Sequence, residues 1–242
     1  IVIGTLEGGV ISYDGSVVAE LAAAGTFTDR VIVSTYNGTL YAASTQGISR
    51  LPSGPGAVWA DAVLPAAAFP AGVADFHPCF AVEYFGASYV GGYELIAAEP
   101  YACLLKVVEN GMGATTVTIA FVDADAGSSL TAACVYNGAL FFGYNYGAGY
   151  PGGCISSYNG STFIHDLFEF GGTDTPPIVL RMLDLGSSMY VTFYGDLSVG
   201  VTEHSYLYRM EGDNTSLSVT ELLDSAILGD IAVYLGLDIQ VI

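Results

Sequence analysis

Five turn glycines, Gly38, Gly86, Gly138, Gly186 and Gly236, recur along the chain at steps of 48, 52, 48 and 50 residues by subtraction. Each sits between two short runs of β-branched, aromatic and small apolar residues. The clearest copy is Val31 to Gly54, VIVSTYNGTLYAASTQGISRLPSG. Asn37-Gly38 is a strong hairpin signal, because a type I′ turn needs positive φ at both central residues. Strands are expected at Val31–Tyr36, Thr39–Ala43, Ile48–Leu51 and Ala57–Ala60. Similar hairpins are Phe80–Gly92, Ala132–Tyr144, Val179–Phe193 and Ala232–Ile242. A second turn series is also five-fold: Ser12–Ser16, Arg50–Gly54, Val108–Gly111, Ser157–Ser161 and Arg209–Asp213. Two independent five-fold series exclude a chance likeness, and a repeat of this length built from strands points to radial repetition.

A four-stranded antiparallel meander of about 50 residues is the size of one propeller blade. The expected fold is therefore all-β, a single five-bladed β-propeller covering residues 1–242. The blades are read as 231–242 plus 1–24, 31–60, 80–122, 131–170 and 179–223. The last segment is an innermost strand without outer partners, and the first is an outer hairpin without an inner strand. Joining them would complete one blade and close the ring, which removes exposed sheet edges.

The charge excludes several functions. There are 24 acidic residues against five Lys and Arg, a net charge of −19. Neutralising nucleic-acid phosphates needs a basic face, so no nucleic-acid partner is expected. An anionic membrane surface is disfavoured for the same reason. No apolar run approaches the roughly 18 residues of a membrane helix, so no insertion is expected. Such a composition suits an extracellular, cell-surface or virion setting. With mean hydropathy at +0.52, a place in a larger homo- or hetero-oligomeric assembly is a further expectation. Cys79, Cys103, Cys134 and Cys154 form no C-x-x-C pair, which argues against zinc. They read as small buried apolar residues rather than disulfide partners. No metal or other cofactor is expected; Asp123 and Asp125 before Gly127 lack the longer pattern of a calcium loop.

The two turn series are tight, whereas the other connections carry all the length variation. These are Asp61–Pro78, Tyr93–Ala102, Asn145–Gly153, Gly171–Pro177, Gly195–Ser205 and Asp224–Asp230. Long loops on a rigid scaffold concentrate function. They bear Tyr93, Tyr101, Asn145, Tyr146, Tyr150, Tyr194 and His204, chosen as the ligand-binding set. Aromatic faces suit sugar rings, and tyrosine gives contact area at low entropic cost. Tyrosine is also simply favoured in strands. Asn37, Asn159 and Asn214 head possible glycosylation triplets, though Asn-Gly turns generate such triplets by themselves.

Catalysis is tested by the placement of carboxylates. Glycoside hydrolysis needs a pair flanking the scissile bond. Glu83, Asp184 and Asp238 fall late in inner strands, beside the tight turns. The early inner-strand positions Val31, Cys79, Thr131, Val179 and Ile231 are not acidic. Asp75, Glu94, Glu99, Asp196 and Glu203 lie in the long loops without a spacing that brings them together. His77, His165 and His204 are isolated. No catalytic residue is assigned. The expected function is a non-enzymatic extracellular or virion-surface module presenting Tyr and Asn loops to a glycan or protein partner. The alternatives are a five-bladed propeller glycoside hydrolase, or a purely structural subunit of a virion or filament. Arg50, Lys106 and Arg209 share one place in the repeat, where pairing with a neighbour's acid is expected.

The segments NGTLYAAS and GISRLPSG, with NGALFFG and GSSMYVTF, resemble the repeat of tachylectin-like five-bladed propellers. That resemblance implies binding of N-acetylated sugars, one per blade. The single Trp59 and the unequal loops depart from five equivalent sites. Low lysine content, abundant Gly and Ala, and the tyrosine-rich loops also resemble spike or tail propellers of phages and archaeal viruses.

Overall fold

The computed structural model describes residues 2–5, 7–23, 25–27, 29–36, 39–51, 64–65, 70, 72–73, 75–109, 115–124, 126–145, 153–169, 178–195 and 204–224. All nineteen elements among them are strands. The chain packs as two compact units, Ile1–Ala124 and Asp125–Ile242.

The first unit holds three antiparallel sheets. One comprises β1 (Val2–Gly4), β2 (Val10–Tyr13) and β3 (Val18–Ala22) in chain order. The second comprises β4 (Ile32–Tyr36), β5 (Thr39–Ser44), β6 (Gly47–Leu51) and β7 (Leu64–Pro65). The third comprises β8 (Phe76–Tyr84), β9 (Ala87–Ile96), β10 (Glu99–Glu109) and β11 (Thr115–Val122). The second unit holds two sheets. They are β12 (Ser129–Tyr136), β13 (Ala139–Asn145), β14 (Gly153–Tyr158) and β15 (Phe163–Glu169), then β16 (Ile178–Asp184), β17 (Met189–Gly195), β18 (His204–Asp213) and β19 (Ser216–Asp224). Five antiparallel sheets in chain order are the blades of the five-bladed β-propeller class. The inner strand assigned to 231–242, and with it ring closure, lies outside the described residues, as do the Gly38 and Gly236 turns.

Burial follows strand position. Middle strands β13 and β14 are buried along nearly their whole length, since both faces are covered. The first strand β12 alternates half-buried and buried residues. Outer β11 alternates half-buried and exposed ones over its first half. In unit 1, Tyr41, Ala43, Ile48, Phe76, Val90, Leu105 and Val107 form a core cluster from the second and third sheets. In unit 2, Phe141, Ile155, Val179, Met182, Met189, Val191, Phe193 and Met210 do the same for its two sheets.

Glycines at strand positions facing the next sheet let it approach. A Cβ at Gly143 would fall 2.3 Å from Val179 Cβ, and one at Gly4 would fall 2.1 Å from the Val31 carbonyl oxygen. Polar side chains tie the same neighbours together. Tyr41 donates to Glu109 at 2.6 Å, and Arg50 donates to the same carboxylate at 3.2 Å. This is the cross-blade pairing expected of Arg50. Arg209 instead meets Glu211 of its own strand at 3.4 Å. Lys106 lies 6.0 Å from the Tyr89 ring centroid, within cation–π range. In unit 2, Tyr136 donates to the Ser187 carbonyl at 3.0 Å and Asn137 to the Gly212 carbonyl at 2.9 Å.

Several boundaries differ from the sequence reading. The fourth strand of the second sheet is Leu64–Pro65; Ala57–Ala60 lies outside the described residues. Tyr93–Ala102 is no loop: β9 and β10 pair to their ends, joined by Ala97 and Ala98 alone. Both alanines take positive φ, 52° and 70°. The signal was missed because this turn contains no Gly, Asn or Asp. The Gly186 turn lies at 185–188, where the Leu185 amide donates to the Ser188 carbonyl at 3.0 Å. Strand β18 runs through Arg209–Asp213, and the turn is Asn214-Thr215. There Asp213 accepts hydrogen bonds from Thr215 N and Oγ1 and from Ser216 N. Asp14 and Asn159 accept the matching three bonds in their own turns. The Val17 amide first, then Ser16, holds the Asp14 carboxyl below its ordinary range. The Thr215 hydroxyl, then its amide, does so for Asp213.

Gly143→Val drives a side chain into Val179 and lowers stability by about 2 kcal/mol, as overpacking does; urea denaturation of wild type and variant measures it. In contrast, Ala98→Gly relieves a left-handed alanine at an exposed position. It raises stability by about 0.5–1 kcal/mol, read as a higher denaturation midpoint with an unchanged slope.

Candidate active site at the heads of β4 and β8

Two polar segments run into inner strands in unit 1. Asp29-Arg30 lies just ahead of β4, and Asp75 immediately precedes β8. Thr45 lies in the turn between β5 and β6. Tyr93, near the end of β9, pairs directly across from His77 of β8. Asp29, Arg30, Thr45, His77, Pro78, Cys79 and Tyr93 line a recess of about 250 Å³.

The local backbone explains how these groups meet. A bulge between Pro78 and Phe80 shifts the β8–β9 register. Gly92 accommodates the close strands, since a Cβ there would fall 2.0 Å from the His77 carbonyl oxygen. The His77 and Tyr93 rings stack with centroids 4.9 Å apart and planes within 8°. His77 Nε2 stands 3.3 Å from Asp75 Oδ1. Arg30 Nη2 donates to the Cys79 carbonyl at 3.5 Å, and the Arg30 amide donates to Asp29 Oδ1 at 2.7 Å. Asp29, Asp75, Cys79 and Arg30 all act electrostatically on Tyr93. Burial first, then the negative charges, raises its hydroxyl pKa against the opposing pull of Arg30. One carboxylate, Asp29, with a cation, an imidazole and an aromatic face therefore line one small concavity, and a second carboxylate, Asp75, stands beside it against His77.

Other expected site residues are distributed more widely. Tyr101 is half-buried on β10 and pairs with Glu94, which is itself buried. Asn145 ends β13, half-buried, with its Oδ1 buried and unbonded. Tyr194 on β17 is half-buried and pairs with Ile178 and Ser205. His204 begins β18 opposite Gly195; its side chain, Tyr146, Tyr150 and Asn37 lie outside the described residues. Asn159 heads an exposed turn, and Asn214 sits in the β18–β19 turn. Of the expected ligand-binding residues whose side chains are described, Tyr93 alone lines this recess. Asp29 and Arg30 were missed because attention went to acids inside strands rather than just before them. The available signal was the pair of segments Asp29-Arg30-Val31 and Asp75-Phe76-His77, each polar immediately ahead of an inner strand.

All four cysteines are free thiols. Burial, then the Glu94 charge, pushes Cys103 up to about 12, and burial, then Asp184, does the same for Cys134. Burial also raises Cys79, with Arg30 opposing. Among the described residues no cluster of His, Cys, Asp and Glu is arranged to hold a metal.

No family model matches the chain, and no curated protein matches it. Among solved structures it is similar to an alpha-L-arabinanase of Cellvibrio cellulosa complexed with arabinohexaose. That match has 9% identity and a TM-score of 0.46, over 94% of this chain and 92% of the other. It is also similar to an alpha-L-arabinofuranosidase of Clostridium thermocellum ATCC 27405. There the identity is 12% and the TM-score 0.43, over 89% of this chain and 83% of the other. Both are named as enzymes, and neither is a tachylectin-like or viral propeller. The expectation of a non-enzymatic binding or assembly module is corrected on this finding. The enzymatic alternative is taken up below from the chain's own carboxylates.

At pH 8, a thiol reagent should leave Cys103 and Cys134 unmodified in the folded protein and react with all four cysteines in denaturant. Their raised pKa values stabilise the fold below the ordinary thiol value near 9. That contribution is lost as pH rises towards 12, so an alkaline stability scan should fall across this window.

Proposed function

We propose that this chain is a glycoside hydrolase of the five-bladed propeller type, acting on a glycan held in the recess at the heads of β4 and β8 and the end of β9. The observation that carries the reading is the gathering of Asp29 and Asp75 around the stacked His77–Tyr93 pair. Glycosidic cleavage asks for two carboxyl groups beside one sugar ring. One protonates the departing glycosidic oxygen. The other either activates water or attacks the anomeric carbon. The transition state is oxocarbenium-like, and nearby carboxylates stabilise its positive charge. Water finally supplies hydroxyl to the anomeric carbon and a proton to the system.

The remaining groups suit binding. The Tyr93 ring offers an apolar face for a sugar's C–H edge, and its hydroxyl offers a polar handle. Arg30 and Thr45 supply donors for ring hydroxyls. The strongly acidic chain favours uncharged glycans over polyanionic ones. Action outside the cell on a polymeric substrate belongs to the same proposal.

The test is release of reducing sugar from a panel of neutral polysaccharides that includes arabinan and arabino-oligosaccharides. Asp29→Asn and Asp75→Asn should each lower kcat about 10²–10⁴-fold while leaving the unfolding midpoint close to wild type. Absence of release by the wild-type protein across the panel, or full activity in both variants, would falsify the reading.

A further inference from the structure

We propose that His77 is the positioning residue for Asp75: the imidazole, fixed in plane by Tyr93, holds the carboxylate beside the recess that His77 and Tyr93 line. This rests on the glycosidase reading above for its catalytic consequence, and on geometry alone for the positioning itself.

Asp75 lies outside any strand, and its side chain is 56% exposed. Its carbonyl accepts from the Leu95 amide at 3.0 Å, which ties the main chain to β9, and the carboxylate itself is oriented by a side-chain neighbour. His77 supplies one. Its ring is held twice over. The directly paired Tyr93 stacks on it at 4.9 Å, nearly parallel. The backbone beneath it is pinned by the bulge and by the close approach at Gly92. Its Nε2 is buried and makes no hydrogen bond of good geometry among the described residues. The Asp75 carboxylate at 3.3 Å is the charged group that meets it. A buried imidazole nitrogen left unpaired is costly, so the fold draws Asp75 towards it. The charged and titratable groups around His77 are Asp75 on its own segment, Tyr93 on β9, Asp29 and Arg30 ahead of β4, and Cys79 on β8. Arg30 is engaged with the Cys79 carbonyl, which leaves the imidazole to Asp75. A catalytic carboxylate must be held within a fraction of an ångström of its working place, and small misplacements cost orders of magnitude in rate.

Two arms test this separately. The first is a stability cycle of Asp75→Asn, His77→Phe and the double variant. Phenylalanine keeps the stack on Tyr93 but lacks Nε2. A coupling of about two- to fivefold in the unfolding equilibrium constant is expected for a partly exposed pair; strictly additive effects overturn the proposal. The second arm is turnover of whichever neutral polysaccharide the wild type cleaves. His77→Phe should lower kcat by about tenfold or more with KM within twofold, and His77→Gln, which restores an N–H donor, should recover part of the loss. A raised KM with unchanged kcat overturns positioning and makes His77 only a binding wall. Coupling in the first arm without wild-type turnover supports the Asp75–His77 contact and overturns the glycosidase reading instead.

Discussion

The close approach of neighbouring sheets at positions too small for a side chain is the constraint on which the rest depends. Gly143 faces Val179, and Gly4 faces the Val31 backbone, at separations no Cβ tolerates. In each case a valine at or just ahead of the first strand of a sheet seats against a glycine-bearing strand of the preceding sheet. Side chains such as Phe141, Met189 and Val191 then bury fully in unit 2, and Tyr41, Ile48 and Val90 do so nearly fully in unit 1. Interiors of this density transmit a change of one methyl group to their neighbours. The blade repeat is thus a repeat of contacts more than of residues.

This packing has an electrostatic consequence. With middle strands covered on both faces, polar groups are driven to strand ends and sheet margins. The five cations are correspondingly placed where a carboxylate, a carbonyl or an aromatic ring meets them. Arg50 with Tyr41 on Glu109 is the clearest example. The same rule explains the recess. Asp29, Arg30 and Asp75 sit just before buried inner strands, the last places a charge can remain in water before the core begins. A site built from strand heads inherits the rigidity of the sheets behind it, which suits chemistry that depends on fixed carboxylates.

Much of the fold was legible. Glycine spacing, Asn-Gly and Asp-Gly turns and alternating apolar runs have local physical causes, so the inner hairpins at Phe85-Gly86 and Asn137-Gly138 appear where expected, with positive φ at both positions. The failures are equally physical. Ala97-Ala98 turns a hairpin without any turn residue, because long paired strands on either side over-determine it. Asp213 moved a turn by accepting three local hydrogen bonds. In the candidate site, Tyr93 was foreseen for its chemistry but placed in a loop, whereas it belongs to a paired strand. His77 was set aside as isolated, because nothing in the linear order brings it against Tyr93.

The sequence by itself determined the all-β class, the repeat of antiparallel meanders and the excess of negative charge, since each follows from local backbone preference or from composition. Tertiary structure alone decided which carboxylates meet. Asp29 and Asp75 are separated by a whole blade in the chain. Both act on Tyr93, Asp29 from the lining of the recess and Asp75 through its contact with His77, because the sheets that carry β4 and β8 are neighbours in unit 1. Strand register, set by a bulge after Pro78 and the small residue Gly92, also decided that His77 faces Tyr93. A one-residue slip would have turned either ring to the opposite face of the sheet, and no local propensity distinguishes those two outcomes.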